Sequence, residues 1–146
     1  MAYQNILVPV DGSETSYAAV KQAVEFAKVF GSKITVVQVL ALDPYIAAEY
    51  ITAAQTNDLI ERARTSILKT LEEATSKFNA EGVQVETRLL EGQVIHQEII
   101  NAAKELNADL IVIGSHGRTG LKKLFLGSVA QNILGDTGVP VLVVRQ

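Results

Sequence analysis

Apolar runs and helical periodicities alternate along this chain from one end to the other, and that alternation limits the fold more than any other feature. "NILVPV" (Asn5 to Val10) reads as a strand buried on both faces, and a helix follows from about Ser13 with Tyr17, Val20, Val24 and Ala27 as its apolar stripe. "KITVVQVL" (Lys33 to Leu40) is a second strand. After an irregular stretch from Ala41 to Thr56, expected to be partly helical, comes a long helix striped by Ile60, Ala63, Ile67, Leu71, Ala74 and Phe78. "VQVETRLL" alternates Val83, Val85, Thr87 and Leu89 against polar neighbours, as a half-covered edge strand does. Gly92 then turns into a helix carrying Ile95, Ile99, Ala102 and Leu106. "DLIVIG" is a fourth strand, another helix runs to about Gly135, and "VPVLVV" is a fifth strand. Strands that alternate with helices of this length predict a parallel sheet with right-handed crossovers and helices on both faces. The expected fold is a single doubly wound, Rossmann-like α/β domain over residues 1–146.

Composition narrows the function classes. The chain has 146 residues, enough to bury very roughly two thirds of its unfolded surface in one domain. It has no cysteine, which excludes disulfides, thiolate metal sites and cysteine nucleophiles. Net charge is −3 and no stretch gathers Lys and Arg into a groove for nucleic acid, so nucleic acid is not an expected partner. No apolar run approaches the roughly 20 residues that span a bilayer, so no membrane partner is expected either. The N-terminal "MAYQNILVPVDGS" carries no basic leader, and the expected location is cytoplasmic.

The stretch "GSHGRTGLKKLFLGS", Gly114 to Ser128, follows the fourth strand directly and holds four of the chain's ten glycines. In an open α/β sheet ligands bind beyond the carboxyl ends of the strands, where strand order reverses. The spacing is Gly114, two residues, Gly117, nine residues, Gly127, then Ser128. Glycine lets a neighbouring backbone come close, and a helix opening at the last pair offers unpaired N–H groups to an anion such as phosphate. A ligand-free reading stands beside this one: glycines suit tight βα corners, and Ser128 with Gln131 matches a capping box. The P-loop GxxxxGK[ST] and the dinucleotide GxGxxG are both missing. Asp11, after the first strand, suits either a ribose hydroxyl or a water on phosphate-bound Mg²⁺, or an Asx turn that caps the first helix. His116 has no evident orienting acid and carries no assigned catalysis, and Arg118, Lys122 and Lys123 lie where they could steer phosphates.

"ILVPVDGS", "GSHGRTGLKKLFLGSVAQNIL" and the closing "VPVLVVR" resemble the universal stress protein family, in its nucleotide-binding branch marked by GxxGx9G[ST]. The resemblance implies a five-stranded sheet of order 3-2-1-4-5, ATP beside the first and fourth strands, and commonly a homodimer. Carried over residue by residue, it implies that Pro9 and Asp11 end the first strand at the nucleotide. Val39 would offer backbone and an apolar wall to adenine, Ile113 and Gly114 would line the ribose side, and Gly117, Gly127, Ser128 and Val129 would hold the phosphates. Gln38 and Val94 depart from the family's common histidine and proline.

The resulting expectation is an ATP-binding, stress-response regulatory protein, with Mg²⁺ as the accompanying ion and Asp11 as its candidate ligand through water. Slow ATP hydrolysis and a nucleotide-free dimeric interaction module are the alternatives. With the last strand at a sheet edge, Val139 to Val144 would pair with a second copy, and the client protein is unknown.

Overall fold

The computed structural model describes residues 2–41, 52–116 and 126–145. The sheet is five-stranded and entirely parallel, with β1 (Asn5–Pro9), β2 (Lys33–Ala41), β3 (Val85–Gly92), β4 (Leu110–Gly114) and β5 (Val141–Val144) in the order β3-β2-β1-β4-β5. The connecting helices are α1 (Glu14–Phe30), α2 (Ala53–Ala80), α3 (Ile95–Glu105) and α4 (Ser128–Asp136). The doubly wound expectation and the 3-2-1-4-5 order both hold.

The two-residue period of the strands divides the core into two layers. Ile6, Val8, Val10, Ile34, Val36, Leu110 and Val112 face α1 and α2, where they meet Val20, Val24, Leu71 and Phe78. Leu7, Val37, Ile111 and Ile113 face the other way and pack on Ile99, Ala103, Ala130 and Ile133 of α3 and α4. Strand β1 is therefore buried on both sides, as its unbroken apolar run requires. Edge strand β3 has half-buried and exposed residues throughout, in keeping with its alternating sequence.

Local signals set the helix ends. The Ser13 side chain accepts a hydrogen bond from the Ser16 N–H at the start of α1. Gly31 ends α1 in the left-handed region, at φ 66°, where a side chain would be strained. Helix α2 begins at Ala53, inside the stretch expected to be irregular, because Thr52 and Gln55 form a reciprocal capping box there. The rest of that stretch, residues 42–51, lies outside the described residues. The last strand is shorter than expected. It starts at Val141 because Pro140 has no N–H to donate and the Val139 N–H is taken by the Thr137 hydroxyl, 3.1 Å away.

Candidate functional site

Strand β1 ends at Pro9, which pairs in register with Val37 of β2, while β2 continues to Ala41. Val39 thus stands two residues, or roughly 6–7 Å, beyond the end of β1 and forms part of a step at the carboxyl end of the sheet. Val39, Ile113 and Val129 come from β2, β4 and α4 and pack into one apolar cluster. Pro9 is buried at the floor of the same region.

Past Pro9 the chain turns through Asp11, Gly12 and Ser13. Asp11 Oδ1 accepts from the Ser13 N–H at 2.9 Å, and Gly12 takes a φ of 82° that few side chains tolerate. This is the Asx turn that stood as the alternative to ligand contact for Asp11, with one difference: the residue that caps α1 is Ser13. Asp11 orders the turn that delivers the cap, and its carboxyl is half-buried at the rim.

Strand β4 ends against the first turn of α1. A Cβ on Gly114 would sit 2.8 Å from the carbonyl carbon and oxygen of Thr15, so the absent side chain is explained by close approach of the α1 backbone. The Thr15 hydroxyl, on a residue 1% exposed, donates to the His116 carbonyl. Ser115 is buried; its N–H reaches the Val144 carbonyl at 2.9 Å, and its carbonyl accepts from the Gly127 N–H at 2.6 Å. A Cβ on Gly127 would lie 3.2 Å from His116 Cα, so this glycine too is held by crowding. The Ser115 hydroxyl lies 3.1 Å from His116 Nδ1. Gly117, Arg118, Lys122 and Lys123 lie outside the described residues.

Helix α4 begins differently from what the sequence suggested. Gly127 is its N-cap and Ser128 is its first helical residue, so Ser128 and Gln131 form no capping box, and no side chain caps the helix. The Gln131 side chain turns back instead to the Leu126 carbonyl, at 2.6 Å. The Gln131 N–H bonds the Gly127 carbonyl, so the N–H groups of Ser128, Val129 and Ala130 precede the first intrahelical bond. No acidic side chain stands in this first turn. The start of α3 also lacks a capping side chain, but Glu98 sits in its first turn and supplies negative charge; α1 and α2 are capped by Ser13 and Thr52. Among the described helix starts, α4 alone has neither a cap nor an acidic residue in its first turn. An anion at Ser128–Ala130 would meet N–H groups that have no intrahelical partner and the positive end of the helix dipole.

Sequence reasoning singled out Asp11 and the glycines but missed Ser13 and Thr15, the side chains that join the α1 turn to β4. Their signal was the surplus of hydroxyls in "SETS", where one suffices for a cap. Among the described residues there is no cluster of three or more His, Asp or Glu that could hold a metal ion, and no helix long and apolar enough to cross a membrane.

Comparison with known proteins agrees with this architecture. The universal stress protein family matches residues 2–145. The structure of protein MJ0577 from Methanocaldococcus jannaschii superposes with a TM-score of 0.85 at 29% identity, covering 100% of this chain and 98% of that one. A universal stress protein in complex with cAMP superposes at 0.72 with 26% identity, covering 99% and 98% of the two chains. One from Archaeoglobus fulgidus in complex with dAMP gives 0.70 at 27% identity, with 100% of both chains covered. With the family matched over nearly all of its residues and the sheet order reproduced, the chain belongs to the universal stress protein family.

Proposed function

We propose that this protein binds ATP together with Mg²⁺ at the carboxyl ends of β1 and β4, and that occupancy of the site sets its conformation or its choice of protein partner in a stress response. The observation that carries this reading is the bare start of α4: three N–H groups ahead of the first intrahelical bond, no capping side chain among the described residues and no acidic residue in the first turn, at the end of the GxxGx9G[ST] spacing. Two structural relatives that hold cAMP and dAMP support an adenine nucleotide as the ligand class. The apolar cluster of Val39, Ile113 and Val129 suits the base and ribose side, and Gly127, Ser128 and Val129 suit the phosphates. Asp11 would be the residue to hold a phosphate-bound Mg²⁺ through water, and the ion would supply charge neutralisation on the phosphates.

The regulatory unit in this reading is a homodimer. Strand β5 occupies a sheet edge, paired with β4 alone, and Val141, Leu142 and Val143 are only half-buried. The Pro140 and Val144 carbonyls point to β4, so the two-residue alternation turns the backbone of Val141 and Val143 away from it. Those groups and the three side chains are what a second copy would cover.

The direct test is to purify the protein, denature it, and run the supernatant by anion-exchange chromatography alongside calorimetric titration of the stripped protein with ATP and Mg²⁺. Co-purified adenine nucleotide and a saturable ATP isotherm are expected. A chain that carries no nucleotide and gives no heat with ATP is a nucleotide-free interaction module.

A further inference from the structure

The hydroxyls at the start of α1 form a chain whose hydrogen-bond direction is fixed by counting protons. The Thr15 hydroxyl has one proton and gives it to the His116 carbonyl. Its contact with Ser13 Oγ at 3.3 Å must therefore run from Ser13 to Thr15, while Ser13 Oγ accepts from the Ser16 N–H at 3.2 Å. The path reads Ser16 N–H to Ser13 Oγ–H to Thr15 Oγ–H to His116 C=O. Its first member is the cap of α1 and its last is main chain just beyond β4. Ser13 also donates its own N–H to the Asp11 carboxylate.

Thr15 donates nothing within its own helix, since Ser13 caps α1 and the Thr15 proton goes to His116, outside α1. A buried hydroxyl carries a desolvation cost that valine, its near isostere, would avoid, so its retention calls for a bond that matters at the far end. That far end is His116, one residue after Ser115, whose carbonyl anchors the Gly127 N–H at the start of α4.

Resting on the nucleotide reading above, we infer that Thr15 is a positioning residue of the phosphate-binding segment: its hydroxyl sets the spacing between the end of β4 and the uncapped start of α4. Thr15 touches no ligand in this assignment. It acts through His116 and Ser115 on the Gly127 N–H that Ser115 holds, and so on the placement of the Ser128, Val129 and Ala130 N–H groups.

The test compares wild type, Thr15→Val and Thr15→Ser, with ATP and adenosine as separate titrants and amide exchange of the nucleotide-free protein as an independent readout. Loss of one buried hydrogen bond at the far end is expected to weaken ATP about tenfold in Thr15→Val while adenosine changes less than about twofold, and Ser is expected to restore ATP binding. In the nucleotide-free protein, Gly127 exchange should accelerate relative to Ile111 in the Val variant and return in the Ser variant. Wild-type ATP affinity in Thr15→Val, or equal loss of ATP and adenosine, overturns the assignment. So does a Gly127-to-Ile111 exchange ratio that the variants leave unmoved. Should wild type bind no ATP at all, the nucleotide reading fails, and the exchange ratio alone decides whether Thr15 sets this junction.

Discussion

The Gly127 N–H donates to the Ser115 carbonyl at 2.6 Å, so the two ends of segment 116–126 meet beside the end of β4. One bond thereby brings the start of α4, with the N–H groups that precede its first intrahelical bond, to the carboxyl edge of the sheet where Asp11 also emerges from β1. This junction is the frame on which the proposed phosphate contacts rest.

Gly127 and Ser128 separate the frame from the contact. A Cβ at Gly127 meets the His116 and Ser115 backbone at 3.2 and 3.3 Å, neighbours that cannot rotate away. Gly127→Val is therefore expected to abolish ATP binding and to lower Tm as well. Ser128 is exposed and caps nothing, so Ser128→Ala should leave Tm within about 1 °C, as surface changes do, yet weaken ATP roughly tenfold if its hydroxyl meets a charged phosphate. Thermal unfolding and calorimetry on both variants check this; unchanged affinity in both would remove the phosphate reading.

Asp11 is tested by its isostere. Asn keeps the oxygen that accepts from the Ser13 N–H, so the turn should survive in Asp11→Asn. ATP affinity is expected to fall about tenfold with Mg²⁺ present, on the scale of a charge-assisted contact, and less without it. Equal losses in both conditions would move Asp11 to a ribose contact, and no loss would leave it only the turn.

Hydrolysis should be very slow or absent. Rapid phosphoryl transfer needs a positioned water and concentrated positive charge on the γ-phosphate. His116 has the Ser115 hydroxyl beside Nδ1, which is not an acid that would orient it as a base. Phosphate release measured with ATP and Mg²⁺ should stay well below about 1 s⁻¹, the lower end of ordinary enzyme rates. A faster turnover that disappears in His116→Ala would establish an enzyme.

The dimer predicts a mass near twice 15.7 kDa by light scattering after size exclusion. Val143→Lys puts a charge in the middle of the proposed seam and should shift the chain towards monomer at micromolar concentration. A dimer that ignores changes at both Val141 and Val143 has its interface elsewhere.

Lys28 near the end of α1 pairs with Glu81 at the end of α2, Nζ to Oε2 at 2.9 Å, on the exposed surface. The hydrogen bond from Lys28 holds the Glu81 carboxyl below its usual range, and the same bond raises the Lys28 ammonium. The Glu81 part of the stabilisation is present above the unfolded carboxylate pKa and is lost as pH falls through the lower folded value. The Lys28 part is present below the unfolded ammonium pKa and is lost as pH rises through the raised folded value. Thermal unfolding of Lys28→Met should show a small loss of Tm near neutral pH that shrinks at pH 3 and in 1 M salt, since exposed pairs are screened. A deficit that persists at pH 3 would point to lost packing of the lysine stem.

The order of strands and helices and most of the buried stripe were legible in the amino-acid sequence, because they depend on periodicities only a few residues long. Val20, Val24, Ile67, Leu71 and Phe78 are buried where three- and four-residue spacing puts them, and β1 reads as two-sided because no polar residue interrupts it. The strand order entered through resemblance to a family, since pairing joins strands far apart in the chain and leaves no local mark. Capping was the weak point. "TAAQ" and "GSVAQ" both offer a hydroxyl three residues before a glutamine, yet Thr52 closes a box while Ser128 lies inside its helix, with Gly127 in the cap position and its N–H bonded to the distant Ser115 carbonyl. The tertiary structure alone decided why Gly114 lacks a side chain and why Thr15 keeps its hydroxyl. Both depend on contact between the first turn of α1 and the end of β4, about a hundred residues apart in sequence, and a contact of that span is made only by the folded sheet.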